Sequence, residues 1–461
     1  MPRWILIVLA VVAQGALALA MKSVPSLGIV QAAGIVVVGM YAVGRRNLVL
    51  VTCLCGYLVG CEVLWRQTKA PLPYLMAPYA LILLSGFVVV VVLGRLGRNA
   101  RLAMFYVLLL VPSLVNTVRT AGGGSRELIA FALSGPLALA AFVAFTSQVS
   151  ATPAAYRRIL WTTLVSAVGP LVIAVAEIRA VLAQYGSIEF SGQSNFVTSG
   201  GFGPVQVSAV LGLGVLIAIV LGIIETHISA KVIAAVLAVV FSVQSLLTFS
   251  RGGMFAVAIA LAALAIVNAR NRRIRNRVIV VVAVALSLGY FFVVPWLTEF
   301  TGGAFEQRFS DTDSARTGLA GNDVEIFGDN ILFGVGPGMT KYQRLTYNIC
   351  ELRSDRCSDE SSSHTEFTRM LGEHGIPGLV AIGALGLLSF RVIRAAAAER
   401  PFAVGFVAWA IAQMFYANLR VVAVPFAFGL AFLTVRDIRG PTDEADDADT
   451  DPDPIAADHV R

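Results

Sequence analysis

Apolar blocks of about 17 to 22 residues alternate with short polar connections along most of the chain, the length a helix needs to cross a hydrocarbon layer roughly 30 Å thick. Trp4 to Met21, Val232 to Phe249 and Val278 to Trp296 are examples. In lipid the backbone must pair within its own segment, and the blocks lack the alternation of a membrane β-barrel, so helices are predicted. They fall near 4–21, 27–43, 48–65, 75–93, 102–118, 128–146, 159–178 and 203–224, and again near 232–249, 252–268, 278–296, 376–393, 402–418 and 421–435. The last two are short enough to form a re-entrant pair. The expected fold class is all-α, a polytopic membrane protein with about 12–14 transmembrane helices and one large extracytoplasmic loop. The expected divisions are N-terminal transmembrane helices over 1–200, further transmembrane helices over 201–296, an extracytoplasmic loop over 297–375, C-terminal transmembrane helices over 376–439 and an acidic tail over 440–461.

Composition agrees, with 57% hydrophobic and 14% charged residues, against roughly 25% charged in soluble proteins. Basic residues set the orientation, because Lys and Arg in short loops stay cytoplasmic. Arg45-Arg46, Arg95/Arg98/Arg101, Arg157-Arg158, the run from Arg270 to Arg277, and Arg394/Arg400 all fall on even-numbered connections. Arg3, Arg436 and Arg439 flank the termini, so both termini are expected in the cytoplasm. The first block ends in Ala16-Leu17-Ala18-Leu19-Ala20, and losing it would invert this pattern, so it reads as an uncleaved anchor. The net charge of +7 is therefore a topological signal and implies no nucleic acid. The tail after Arg439, rich in Asp, is expected to be disordered.

Against that pattern, Arg66, Arg119, Arg126, Arg179, Arg251 and Arg420 fall at predicted outer helix ends. Arg308, Arg316, Lys341, Arg344, Arg353, Arg356 and Arg369 lie in or beside the long loop. One arginine snorkels readily, but so many on the disfavoured side point to a shared anionic ligand, such as a lipid-linked phosphate or diphosphate. Cys53, Cys55 and Cys61 read as small apolar residues within a helix. Cys350 and Cys357 are candidates for a short-loop disulfide in an oxidising compartment. Of four histidines, His227 and His459 fall on the cytoplasmic side, leaving His364 and His374 outside. Ser363 and Glu366 have capping-box spacing, which predicts a helix with His364 in its first turn, where the helix-end field keeps the imidazole neutral. His374, before Gly375-Ile376-Pro377-Gly378, reads as a helix-terminus residue.

Ser250-Arg251-Gly252-Gly253 is a tight hairpin whose amides and guanidinium suit a diphosphate. Gly200 to Ser208 is a second Gly-rich helix start, and Gly334 to Gly338 alone is an ordinary turn. Taken in order, the Arg-Gly-Gly hairpin, a long loop, Arg316 ahead of Asp329 to Gly338, His364 and then Leu371 to Gly378 form a pattern. It resembles the O-antigen ligase and polymerase superfamily of bacterial envelope glycosyltransferases from about Gly200 to Leu379. The resemblance implies a GT-C-like architecture in the bacterial cytoplasmic membrane. It also implies inverting, metal-independent transfer of a glycan from undecaprenyl diphosphate to an acceptor hydroxyl, with no cofactor. The partners implied are a lipid-linked oligosaccharide donor, a glycan, lipid or protein acceptor, and the membrane. By motif, Arg251 and Arg316 are implied to bind the diphosphate, and His364 to act as the base. An Asn usually follows that His, and this chain has Thr365-Glu366 instead.

Guanidinium groups can meet the charge that develops on a diphosphate leaving group, and a neutral His can take the acceptor proton for a gain on the order of 10²–10⁴-fold. Glu62 and Arg66, four apart, read first as an ion pair; with Gly252, Glu366 and Arg420 they are further candidates for lining the site. Asp311-Thr312-Asp313 reads as a solvated loop, since nucleotide sugars are absent outside the cell. A transporter or flippase of an anionic lipid-linked polysaccharide is the alternative, disfavoured by the lack of an internal repeat. A peptidoglycan-type polymerase fits the motifs less well. Polymerase is preferred over ligase, but on no particular residue.

Overall fold

A computed structural model describes residues 2–190, 193–267, 289–310, 314–344, 363, 365–395, 400 and 402–436, with scattered positions between 275 and 287. Among the described residues, nine helices are long and apolar enough to cross a membrane, and two shorter apolar helices accompany them. The protein is an all-α polytopic membrane protein.

The first half comprises α1 (Arg3–Ser23), α2 (Leu27–Gly44), α3 (Leu48–Gln67), α4 (Met76–Phe87), α5 (Arg98–Leu108), α6 (Leu114–Ala121), α7 (Ser125–Thr146), α8 (Pro153–Ser166) and α9 (Val168–Tyr185). Then follow α10 (Pro204–Ile224), α11 (Ile228–Leu247) and α12 (Gly252–Val267). The loop region holds α13 (Val294–Phe300), α14 (Ala304–Ser310), α15 (Ser314–Asp329) and α16 (Thr340–Gln343), before α17 (Glu366–Arg394), α18 (Ala403–Met414) and α19 (Ala423–Leu430). A two-residue parallel pairing of Ser150–Ala151 with Thr434–Val435 ties α7 and α8 to the end of α19.

Three predicted helices are broken or extended in the structure, and the one expected over 421–435 ends at Leu430. The segment expected over 102–118 breaks between α5 and α6, at Leu109 to Ser113, where Pro112 can neither donate to the helix nor clear the preceding turn. The segment expected over 159–178 is two helices meeting at Ala167, shortly before Gly169-Pro170. The helix expected from 376 continues one that begins at Glu366, with a break at Gly375 (φ 64°, ψ −141°).

Helices in lipid associate through close packing, so small residues occupy their crossings. Gly60 on α3 donates its amide to Ser166 Oγ at 3.1 Å, and a Cβ there would stand 2.1 Å from the Ser166 carbonyl oxygen. Gly253 lies against Ser208 of α10 and Gly135 against the Leu419 carbonyl, each too close for a side chain. The free cysteines Cys53, Cys55 and Cys61 are buried in α3 as small apolar groups.

Gly60→Ala puts a methyl into the α3–α8 crossing, where overpacking costs about 1–3 kcal/mol. A clear fall in melting temperature in detergent is expected. Gly34→Ala, whose methyl meets nothing within 4 Å, should match the parent.

Candidate active site

The break at Gly375 leaves the last carbonyls of the segment before it without helical partners. The Gly334–Gly338 run supplies them: the amides of Val335 and Gly336 donate to Gly372 O at 3.0 Å and Glu373 O at 2.9 Å. On its other side the run meets α6, with Asn116 Nδ2 donating to Gly334 O at 2.8 Å and Thr117 Oγ1 to Pro337 O at 3.1 Å. Gly336 has φ 99°, and a Cβ there would come within 2.4 Å of Thr117 Oγ1. This run is a packed connector between α6 and α17.

Charge completes the connection. Glu373 Oε1 accepts the Gly338 amide at 2.9 Å, and its Oε2 accepts from Arg369 Nη1 at 3.2 Å. Arg369 also donates to Glu366 Oε2, through Nε at 2.8 Å and through Nη2. All three side chains are buried. A second buried pair, Arg344 with Asp323, joins the loop helices; Arg344 donates as well to Ser363 Oγ at 2.6 Å, and Thr368 Oγ1 to Asp323 Oδ2 at 2.9 Å.

These contacts correct the expected capping box. Thr365, not Ser363, caps the helix, its hydroxyl accepting the Thr368 amide at 3.1 Å. Ser363 is engaged by Arg344 and Glu366 by Arg369, so ion pairing outcompeted local capping. The helix starts at Glu366, two residues later than the expected box would place it. His364 itself lies outside the described residues, as do Cys350, Cys357 and Asp311 to Asp313, while its neighbours Ser363 and Thr365 are held as described. His374 is buried, with Nδ1 2.5 Å from Ser113 Oγ, a structural contact that joins the break of α17 to the break between α5 and α6.

Residues 234–383 match the family model described as O-antigen ligase. Over this segment the chain is similar to the O-antigen ligase family, which supports the O-antigen ligase and polymerase superfamily. No curated protein matches the chain. The match supports membrane glycosyl transfer of the O-antigen ligase or polymerase type at the coarse level of reaction class, and agrees with the multi-pass apolar helices. The O-antigen ligase segment contains Arg251, Arg316, His364, Glu366, Arg369 and Glu373; Glu62, Arg66 and Arg420 lie outside it.

Arg251 is half-buried, and its Nη2 donates to the Arg308 carbonyl, while Arg308 Nε donates to Phe249 O at 3.2 Å. This exchange pins α14 onto the Arg-Gly-Gly turn. Gly252 is buried, a Cβ there would come within 2.9 Å of the Tyr416 ring, and its carbonyl accepts from Gln413 Nε2 at 3.0 Å. The backbone of Arg316 belongs to α15, and its side chain is outside the described set. Glu62 and Arg66 form the expected pair at 2.6 Å. Beyond that pair, Glu62 Oε2 accepts the amide of Val422 at 2.7 Å, which brings α3 against the loop carrying Arg420. The Arg420 guanidinium lies over the Phe131 ring at 4.2 Å. Desolvation first, and the Arg369 charge second, hold its pKa below the usual value, with Glu366 and Glu373 opposing.

Glu373 went unnoticed in the sequence although its four-residue spacing from Arg369, and the three-residue spacing of Glu366 from Arg369, are both legible there. Tyr74, Phe131, Gln413 and Asn418 carry no local signal.

Arg369→Ala would leave two buried carboxylates without their cation, and removing one partner of a buried pair costs about 3–5 kcal/mol. A large loss of thermal stability and faster proteolysis within 304–344 are expected. Arg369→Met combined with Glu366→Gln and Glu373→Gln should recover most of it.

Proposed function

We propose that this protein transfers a glycan from undecaprenyl diphosphate to an acceptor hydroxyl on the outer side of the cytoplasmic membrane, by inversion and without a metal. What carries the reading is that one O-antigen ligase segment contains Arg251, Arg316 and His364 together, with Ser363 and Thr365 anchored on either side of the histidine. Residues 297–375 are the catalytic region, facing outward, and both termini face the cytoplasm.

In this reaction the acceptor oxygen attacks the anomeric carbon as its proton passes to the His364 imidazole. The bond from that carbon to the diphosphate oxygen breaks, and undecaprenyl diphosphate leaves with the electron pair. Arg316 and Arg251 bind the diphosphate and meet its growing charge. A guanidinium has five donors, so Arg251 can hold both the Arg308 carbonyl and a phosphate oxygen. The polymerase reading, in which the acceptor is another lipid-linked repeat, is kept ahead of the ligase reading. Deleting the gene and resolving envelope polysaccharides on a gel separates them: retained single repeats mean polymerase, and intact chains left on the carrier mean ligase.

His364→Ala should leave folding and donor binding intact while turnover falls at least about a hundredfold. Exposed His227 is the control, and His227→Ala should cost nothing. His374→Ala is unsuitable as a control because of its Ser113 contact. Arg316→Ala should weaken both donor binding and turnover, with Lys restoring only part. Near-parental turnover in His364→Ala would exclude the base.

Reporter fusions within 300–360 should report the outer side, and fusions after Arg277 and Arg400 the cytoplasm. The reverse pattern would overturn the outward-facing site.

A further inference from the structure

The connection from Phe415 to Val422, between α18 and α19, lies outside the O-antigen ligase segment, yet three helices fix it. Asn418 Nδ2 donates to Gln413 Oε1 at 2.7 Å, and Gln413 in turn holds the Gly252 carbonyl of α12. Val422 donates its amide to Glu62 of α3. The Leu419 carbonyl rests on Gly135 of α7, where a Cβ would approach to 2.5 Å.

The residue held in this way is Arg420. Its guanidinium stacks on Phe131 at 4.2 Å; the Phe131 ring is 5.9 Å from that of Tyr74, and Arg66 covers Tyr74 at 3.9 Å. The two outer members of this stack differ. Arg66 is paired with Glu62 and donates to the Tyr74 carbonyl at 3.1 Å. Arg420, partly exposed, forms no hydrogen bond and no ion pair among the described residues. The nearby carboxylates Glu366 and Glu373 are ion-paired with Arg369. Stacking occupies the flat face of a guanidinium and leaves its edge, with the N–H donors, for an oxyanion. A partly desolvated guanidinium with no hydrogen-bonded anion among the described residues is costly, and an anionic ligand offsets that cost.

We propose that Arg420, braced on Phe131, is the anchor of an anion subsite that takes one phosphate or carboxylate group of the lipid-linked glycan. That ligand rests on the transferase reading; the anion site does not. The anion has two possible sources, the diphosphate of the carrier and the carboxylate of an acidic sugar.

The test uses full-length protein in neutral detergent, titrated separately with undecaprenyl diphosphate and with glucuronate. Arg420→Gln should weaken binding of at least one probe about tenfold or more, the usual scale for losing hydrogen bonds to a charged group, at an unchanged melting temperature. Loss confined to undecaprenyl diphosphate assigns the site to the carrier, and loss confined to glucuronate assigns it to the sugar. Arg420→Lys and Phe131→Leu, expected to weaken binding a few-fold each, carry the test if Arg420→Gln does not fold. Unchanged affinity for both probes in the variants, or no binding of either by the parent, overturns the proposal. Turnover in His364→Ala tests the transferase reading separately, so failure of one is distinguishable from failure of the other.

Discussion

The arrangement of the loop region depends on the carboxylate of Glu373. One oxygen holds the Gly338 amide and the other the Arg369 guanidinium. The backbone carbonyl of the same residue takes the Gly336 amide. A charge removed from water is tolerated only where its partners are complete, so these contacts form together or not at all. Helix α17 is joined through them to the Gly334–Gly338 run, which Asn116 and Thr117 in turn tie to α6.

Broken helices recur wherever this junction is met. The chain interrupts α17 at Gly375 and separates α5 from α6 near Pro112, and His374 and Ser113 bridge the two interruptions. Irregular backbone within an apolar protein is tolerated where other groups satisfy it. Here the Gly-rich run supplies amides to α17, and Asn116 and Thr117 of α6 satisfy the carbonyls of that run. Each break therefore serves as the binding surface for another.

A second hub lies between α18 and α19. Glu62 holds the Val422 amide, and Gln413 ties the same region to the Arg-Gly-Gly turn through Gly252. The O-antigen ligase segment is thus completed by residues outside it, from α3, α7 and the α18–α19 connection. Arg251 contributes on its own side by clasping α14 through the Arg308 carbonyl, the helix that leads toward Arg316.

The sequence alone determined that the chain is an array of membrane helices, since block length and hydrophobicity are local properties, but not their breaks near Pro112, Ala167 and Gly375. It also determined the Glu62–Arg66 pair, because four-residue spacing places both on one helix face. The Arg-Gly-Gly turn and the loop order were enough to indicate the superfamily. Tertiary structure decided the rest. Ser363 and Glu366 have the spacing of a cap, but Arg344 and Arg369 reach them from elsewhere, and Thr365 caps instead. Gly252 reads as an open turn glycine, but Tyr416, distant in sequence, packs where a side chain would stand. Arg420 reads as one more interfacial arginine until Phe131 is placed beneath it. In each case the deciding partner is distant in sequence, and a buried charge or amide takes whichever partner the folded chain brings within reach.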